Sequence, residues 1–200
     1  MTAARATTIC VTWTAAAWAA AAAPPGGYTY TGVMNLVARA EAGDCDARAE
    51  GLAAFGRDAE NPLAGAAWGR LVVLSGCDQP FVAMKYWDYW RGFRALNGYI
   101  ANHGEDPTPR VWRAAAAVDT NYALWKMSDA RADLEFALAA YDEDPDLPGD
   151  AARCKTLLGV IAKDEGDLAA ALTWWRAAFA EDPAGPAGRE AARWLALFTG

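Results

Sequence analysis

The chain has 200 residues, 54% of them hydrophobic, with 10 Trp and a formal net charge of −7. A chain of this length buries roughly 70% of its unfolded surface, so it needs no metal or disulfide framework to fold. A pI near 4.7 leaves no basic stripe to displace counterions from a phosphate backbone, which excludes nucleic acid as a partner, and the same charge argues against docking on an anionic membrane surface.

The first segment reads as a leader. Residues 1–8 carry Arg5 and no acid, Ile9 to Ala22 is uncharged and apolar (ICVTWTAAAWAAAA), and Ala23-Pro24-Pro25-Gly26-Gly27 follows. This is the layout of a secretory signal peptide. It predicts a leader over 1–22, a linker over 23–29 and a periplasmic or secreted mature protein. An alanine-rich leader that stays attached is the alternative. The apolar run is too short to span a bilayer comfortably, so the mature chain is expected to carry no stable membrane span.

Alanine is the best helix former, and no long β-branched run alternates at period two, so the rest reads as all-α. Nine helices are predicted, over about 30–42, 46–58, 63–75, 80–103, 109–126, 129–142, 151–164, 167–181 and 187–198. Asn61-Pro62, Asp78-x-Pro80 and Thr108-Pro109 place a capping side chain ahead of a first-turn proline, and Ser128 and Asp150 are candidate caps for two more helices. Gly43, Gly76 and Gly166 fall at expected turns. Short connections make sequence neighbours antiparallel hairpin partners. Cys45 and Cys77 sit at breaks between helices and are expected to pair in an oxidising compartment. Cys154 reads as a small buried residue.

Glu-Asp-Pro occurs at 105–107, 143–145 and 181–183, at identical intervals of 38 residues. Repetition on this scale marks an array of helical hairpins. The last unit carries Leu158-Gly159, Ala171-x3-Trp175 and Pro183, with Ala162 at a usual tyrosine position and Lys155 in place of a leading aromatic. One interval earlier, Leu124, Ala137, Ala140 and Pro145 fit, while Thr120, Asn121 and Asp133 stand where Leu, Gly and Ala are expected.

On these residues the chain resembles the tetratricopeptide-repeat family. The resemblance implies a short solenoid of stacked antiparallel hairpins, divergent over 30–107 and repeat-like over 108–200, closed by a C-terminal capping helix. In that family the first helix of each hairpin lines a concave groove that holds a protein or peptide. Carried over, the groove of the last repeat has Arg153, Thr156, Val160, Lys163 and Asp164, and the previous one Ala115, Val118, Tyr122, Trp125 and Lys126. Tyr122, Trp125, Lys126, Arg153 and Lys163 are the implied partner contacts. The Lys/Asn clamp for C-terminal carboxylates is not matched.

Catalytic patterns are scarce. His103 is the only histidine, and no cysteine pair has metal-ligand spacing. Asp142-Glu143-Asp144-x-Asp146 lacks the glycine and terminal glutamate of a calcium loop. The expectation is therefore a non-catalytic protein with no cofactor and no metal. The helix over 80–103 is crowded with aromatics. Phe81, Met84, Tyr86/Trp87, Trp90, Phe93 and Leu96/Asn97 form a stripe at i+3 and i+4 that reads as a core face. Tyr86, Tyr89 and Tyr99 lie partly off it and suggest, as the alternative function, a pocket for a small molecule, glycan or lipid.

Overall fold

Side-chain caps and prolines punctuate the helices much as the sequence suggests. The structure is a computed structural model that describes residues 29–57, 62–144 and 150–199; the leader, Asn61 and the 145–149 linker lie outside the described residues. Among these there are nine α-helices and no strand: α1 (Tyr30–Glu41), α2 (Cys45–Phe55), α3 (Pro62–Cys77), α4 (Val82–Asn102), α5 (Pro107–Asp119), α6 (Met127–Glu143), α7 (Ala151–Asp164), α8 (Leu168–Glu181) and α9 (Pro186–Thr199). Asp44, Asp150 and Asp167 each accept a backbone N–H from the first turn of α2, α7 and α8, at 2.8–2.9 Å, satisfying donors that the helix itself cannot.

Three expected caps are replaced. At α4, which starts at Val82 with the Lys85 N–H bonded to the Phe81 carbonyl, Pro80 lies ahead of the helix and Asp78 pairs with Arg48. At α5 it is Asp106, not Thr108, that caps, accepting from the Thr108 N–H at 2.9 Å, with a proline in the first turn. Ser128 does not cap α6, whose N-cap position is held by Lys126 without a side-chain bond. The expected turn at Gly76 is also displaced: Gly76 is buried inside α3, where a β-carbon would lie 2.9 Å from the Tyr89 ring. The residue is small there because α4 passes closely, not because the backbone turns.

The first helices of three hairpins end in one motif. In α1 and α7 a left-handed glycine (Gly43, φ 95°; Gly166, φ 88°) lets the next N–H return to a carbonyl five residues back, Asp44 to Arg39 at 3.0 Å and Asp167 to Ala162 at 2.9 Å. At α5 the Tyr122 N–H returns to Ala117 at 2.8 Å, but the left-handed residues are Asn121 (φ 50°) and Tyr122 (φ 58°). So α5 stops at Asp119, seven residues before the predicted 126. The 38-residue interval survives at the ends of α6 and α8, Glu143 and Glu181, whereas α5 and α7 end 45 residues apart.

The chain divides into two compact units between Gly92 and Phe93, within α4. In the first, α1, α2 and α3 pack on one another around Val33, Val37, Phe55, Leu71 and Val73. A buried ion pair, Arg70 Nε to Glu41 Oε1 at 2.6 Å, ties α3 to α1. In the second, α5 through α9 pack successively, and α7 touches both α5 and α9. Trp112, Leu134, Leu158, Ile161 and Trp175 fill that core.

The aromatic stripe of α4 departs most from expectation. Phe93 and Leu96 are buried, together with Ile100. Phe81, Met84, Trp87 and Trp90 are exposed instead, and the inward residue of this stretch is Tyr89. The reason is local. Gly92 sets the close face of α4, since a β-carbon there would lie 2.5 Å from the Gly69 carbonyl oxygen, and Trp87 and Trp90 fall on the opposite side.

Candidate partner-binding site

In the second unit the loop 120–126 carries Tyr122 to the C-terminal end of α7. Its hydroxyl donates to Asp164 Oδ2 at 3.1 Å. Lys163 pairs with the other oxygen of the same carboxylate and holds its ammonium 5.4 Å from the centre of the Trp194 ring. Arg131 of α6 pairs with Glu165 beside them. The Tyr122 hydroxyl is held well above its ordinary pKa, first by burial and then by the Asp164 charge, so it stays a neutral donor. Tyr122, Lys163, Asp164 and Trp194 thus form one aromatic and charged cluster drawn from three elements.

The other carried-over residues lie elsewhere. Trp125 is in the same loop but packs inward. Its ring stacks on Phe93, centroids 6.0 Å apart, and the Arg113 guanidinium lies 4.5 Å above it. Lys126 is exposed at the start of α6 and Arg153 is half-buried in the first turn of α7. Thr156 and Val160 are buried; the Thr156 hydroxyl donates to Ala152 and Ala187 carbonyls, against α9. Because α5 ends at Asp119, Tyr122, Trp125 and Lys126 are loop residues and not points on a helical groove face. That part of the carry-over is corrected by the left-handed turn at Asn121-Tyr122.

Sequence reasoning passed over an arginine cluster. Asp133, 2% exposed, receives Arg113 through both oxygens at 2.7 Å and Arg110 at 3.2 Å. Arg113 also donates to Asn97 Oδ1 at 2.7 Å, and Arg110 to the Gly104 carbonyl. Asp133 stands where the repeat expects alanine. That mismatch, with two arginines one helical turn apart on α5, was the available signal.

Among the three tyrosines of the alternative reading, Tyr89 is buried and its hydroxyl lies 3.7 Å from Cys77 Sγ. Tyr86 is exposed and meets the Tyr89 ring edge-on at 5.9 Å. Tyr99 is half-buried, stacks on His103 at 4.3 Å and donates to Asp106. His103 is thereby occupied as a helix-end residue. The expected Cys45–Cys77 bond is not formed. Cys77 remains a thiol. The seam between the start of α2 and the end of α3 is closed by Arg48 instead, which pairs with Asp78 and reaches the Leu74 carbonyl. Cys154 is buried, and burial pushes its thiol up to about 12.

Among the described residues no three His, Cys, Asp or Glu side chains are grouped to hold a metal ion, and no helix is long and apolar enough to cross a membrane. No family model matches the chain, and no curated protein or solved structure matches it either.

Proposed function

We propose that the chain is an exported, tetratricopeptide-like helical-repeat protein that binds a protein or peptide segment without catalysing a reaction, and that Tyr122, Lys163 and Trp194 are its contact residues. The observation that carries this reading is the backbone of Tyr122. A bulky residue at φ 58° is strained, and such strain gathers at ligand clamps. A glycine or a second asparagine would close the same turn more cheaply. The tyrosine instead places an aromatic ring and a neutral hydroxyl beside Asp164. Aromatic anchors rimmed by charge suit a protein or peptide partner.

The wider reading has its own supports. The succession of α5 through α9, with α7 touching both α5 and α9, is the contact pattern that stacked hairpins require. Export rests on the layout of residues 1–22, a weakly basic start followed by a short apolar run and small residues.

The test is affinity capture from the native envelope fraction with a C-terminally tagged chain, read by mass spectrometry. A stoichiometric partner retained by the wild type and lost from Lys163→Ala with Trp194→Ala supports the proposal, provided both proteins fold alike. A partner retained equally by the variant places the contact elsewhere. A tightly held small molecule in place of a protein favours the ligand-binding alternative.

A further inference from the structure

The exposed aromatics of α4 are unlike the other apolar residues on the surface. Leu124, Phe136, Leu168 and Phe179 are exposed singly, and Leu197 and Phe198 as one adjacent pair at the end of α9, which is ordinary. Phe81, just ahead of α4, and Val82, Met84, Tyr86, Trp87 and Trp90 on it cluster together and are between 45% and 68% exposed. At 3.6 residues per turn these positions cover most of the circumference of the helix. Half-buried Lys85 and Asp88 and buried Tyr89 lie on the side of this tip, the first two turns of α4, that faces α3, and the rest of its circumference is an exposed apolar surface. An exposed apolar face this wide marks a contact surface. Trp87 and Trp90 stack at 5.1 Å, on the side of α4 opposite the Gly92 contact.

Charge indicates the occupant. Lys85 is the cation of these turns, with Arg91 one turn further on over the Trp68 ring at 5.0 Å, and Asp88 is the one carboxylate, half-buried and paired with Arg91 at 3.6 Å. The local balance is positive although the chain carries −7. Surface charges more than about 8 Å away are largely screened at physiological salt, so the tip, and not the whole chain, decides what approaches it. Tryptophan and tyrosine favour the headgroup level of a bilayer, and lysine and arginine extend their stems to keep their charge there.

We propose that the N-terminal two turns of α4 dock in the headgroup zone of an anionic phospholipid bilayer, Phe81, Val82, Met84 and Trp87 entering it and Lys85 and Arg91 meeting lipid phosphates. The contact is peripheral and reversible, of the kind amphipathic surface helices make. It is independent of the partner cluster at Tyr122.

The test is co-sedimentation of the full chain with phosphatidylcholine vesicles, with and without phosphatidylglycerol. The wild type is expected to sediment with the mixed vesicles and to be released by salt. Phe81→Ser with Trp87→Ser is expected to weaken binding about tenfold or more, since two aromatics lose their burial, with unchanged circular dichroism because both side chains are exposed. Val82→Ser with Met84→Ser supplies a second, independent loss. Bromine-labelled acyl chains should quench the wild type more than Trp87→Phe. Wild type that stays in the supernatant, or variants that sediment like it, overturn the proposal. So does a wild-type dimer that Phe81→Ser with Trp87→Ser makes monomeric, which would make the tip an interface between two copies.

Discussion

Gly159 and Trp175 share one helix crossing: a β-carbon on Gly159 would lie 2.5 Å from Cδ1 of the indole. The absent side chain lets the indole sink until its N–H donates to the Thr156 carbonyl at 3.2 Å, and the ring then stacks on Trp194 at 5.3 Å and Phe198 at 5.7 Å. One missing methyl on α7 thereby seats the tryptophan of α8 against α9. Gly159→Ala is expected to lower unfolding free energy by ~1–3 kcal/mol through overpacking, although alanine is the better helix former. Urea denaturation reads this directly; a variant as stable as wild type would mean that the crossing has slack.

The stack predicts what truncation does. Deleting 186–199 strips Trp194 and Phe198 from Trp175, which is otherwise fully buried. The expected result is aggregation and a lower melting temperature for the remainder. A soluble truncated chain with an unchanged melting curve contradicts it.

Asp133 neutralises two arginines out of solvent. Asp133→Ala leaves Arg110 and Arg113 partly buried without it, and breaking such a pair by removing one partner costs about 3–5 kcal/mol. Replacing all three charges together with apolar residues should cost much less. Chemical denaturation of the single and triple variants distinguishes a cluster required for packing from one that merely occupies it.

Asp150 gives a pH dependence with a definite sign. Burial is the main reason that its carboxyl is raised above its ordinary 3.8, reinforced by Asp182 and Glu181 and opposed by the Arg153 N–H and charge. A folded carboxyl that holds its proton to higher pH contributes stability that is fully present below the unfolded value and is lost as pH rises through the folded one. Asp150→Asn, an equally good cap, should therefore gain on wild type as pH rises from about 3 to neutrality and then hold a constant difference. A difference that shrinks with pH would reverse the sign.

The cysteines make a clean chemical prediction. Under native, non-reducing conditions Cys77 should alkylate slowly and Cys154 not at all until the chain unfolds, because its thiol is buried and raised to about 12. A peptide map that shows Cys45 linked to Cys77 would contradict the structure.

Most helix positions were legible, because caps, prolines and alanine-rich runs are local signals. Asp150 and Gly166 mark α7 and its turn to the residue. The end of α5 was not legible. Leu124 and Trp125 continue a helical period, and nothing local says that Asn121 and Tyr122 turn left-handed in place of glycine. The 38-residue interval then carried Tyr122, Trp125 and Lys126 onto a helix face that stops at Asp119. The α4 aromatics failed for another reason. Periodicity gives the direction of a stripe but not which side the neighbouring helix takes, and that choice rests on the contacts at Gly92 and Gly76.

Tyr122 offers the most direct test of the functional account, since its two expected roles pull in opposite directions. Partner retention and urea midpoint should be measured together for wild type and Tyr122→Gly. Glycine relieves the left-handed strain, worth on the order of 1 kcal/mol, while removing the ring and hydroxyl. The account predicts a variant at least nearly as stable as wild type that no longer holds the partner. A variant that keeps the partner at full stoichiometry would contradict it, whatever happens to the midpoint.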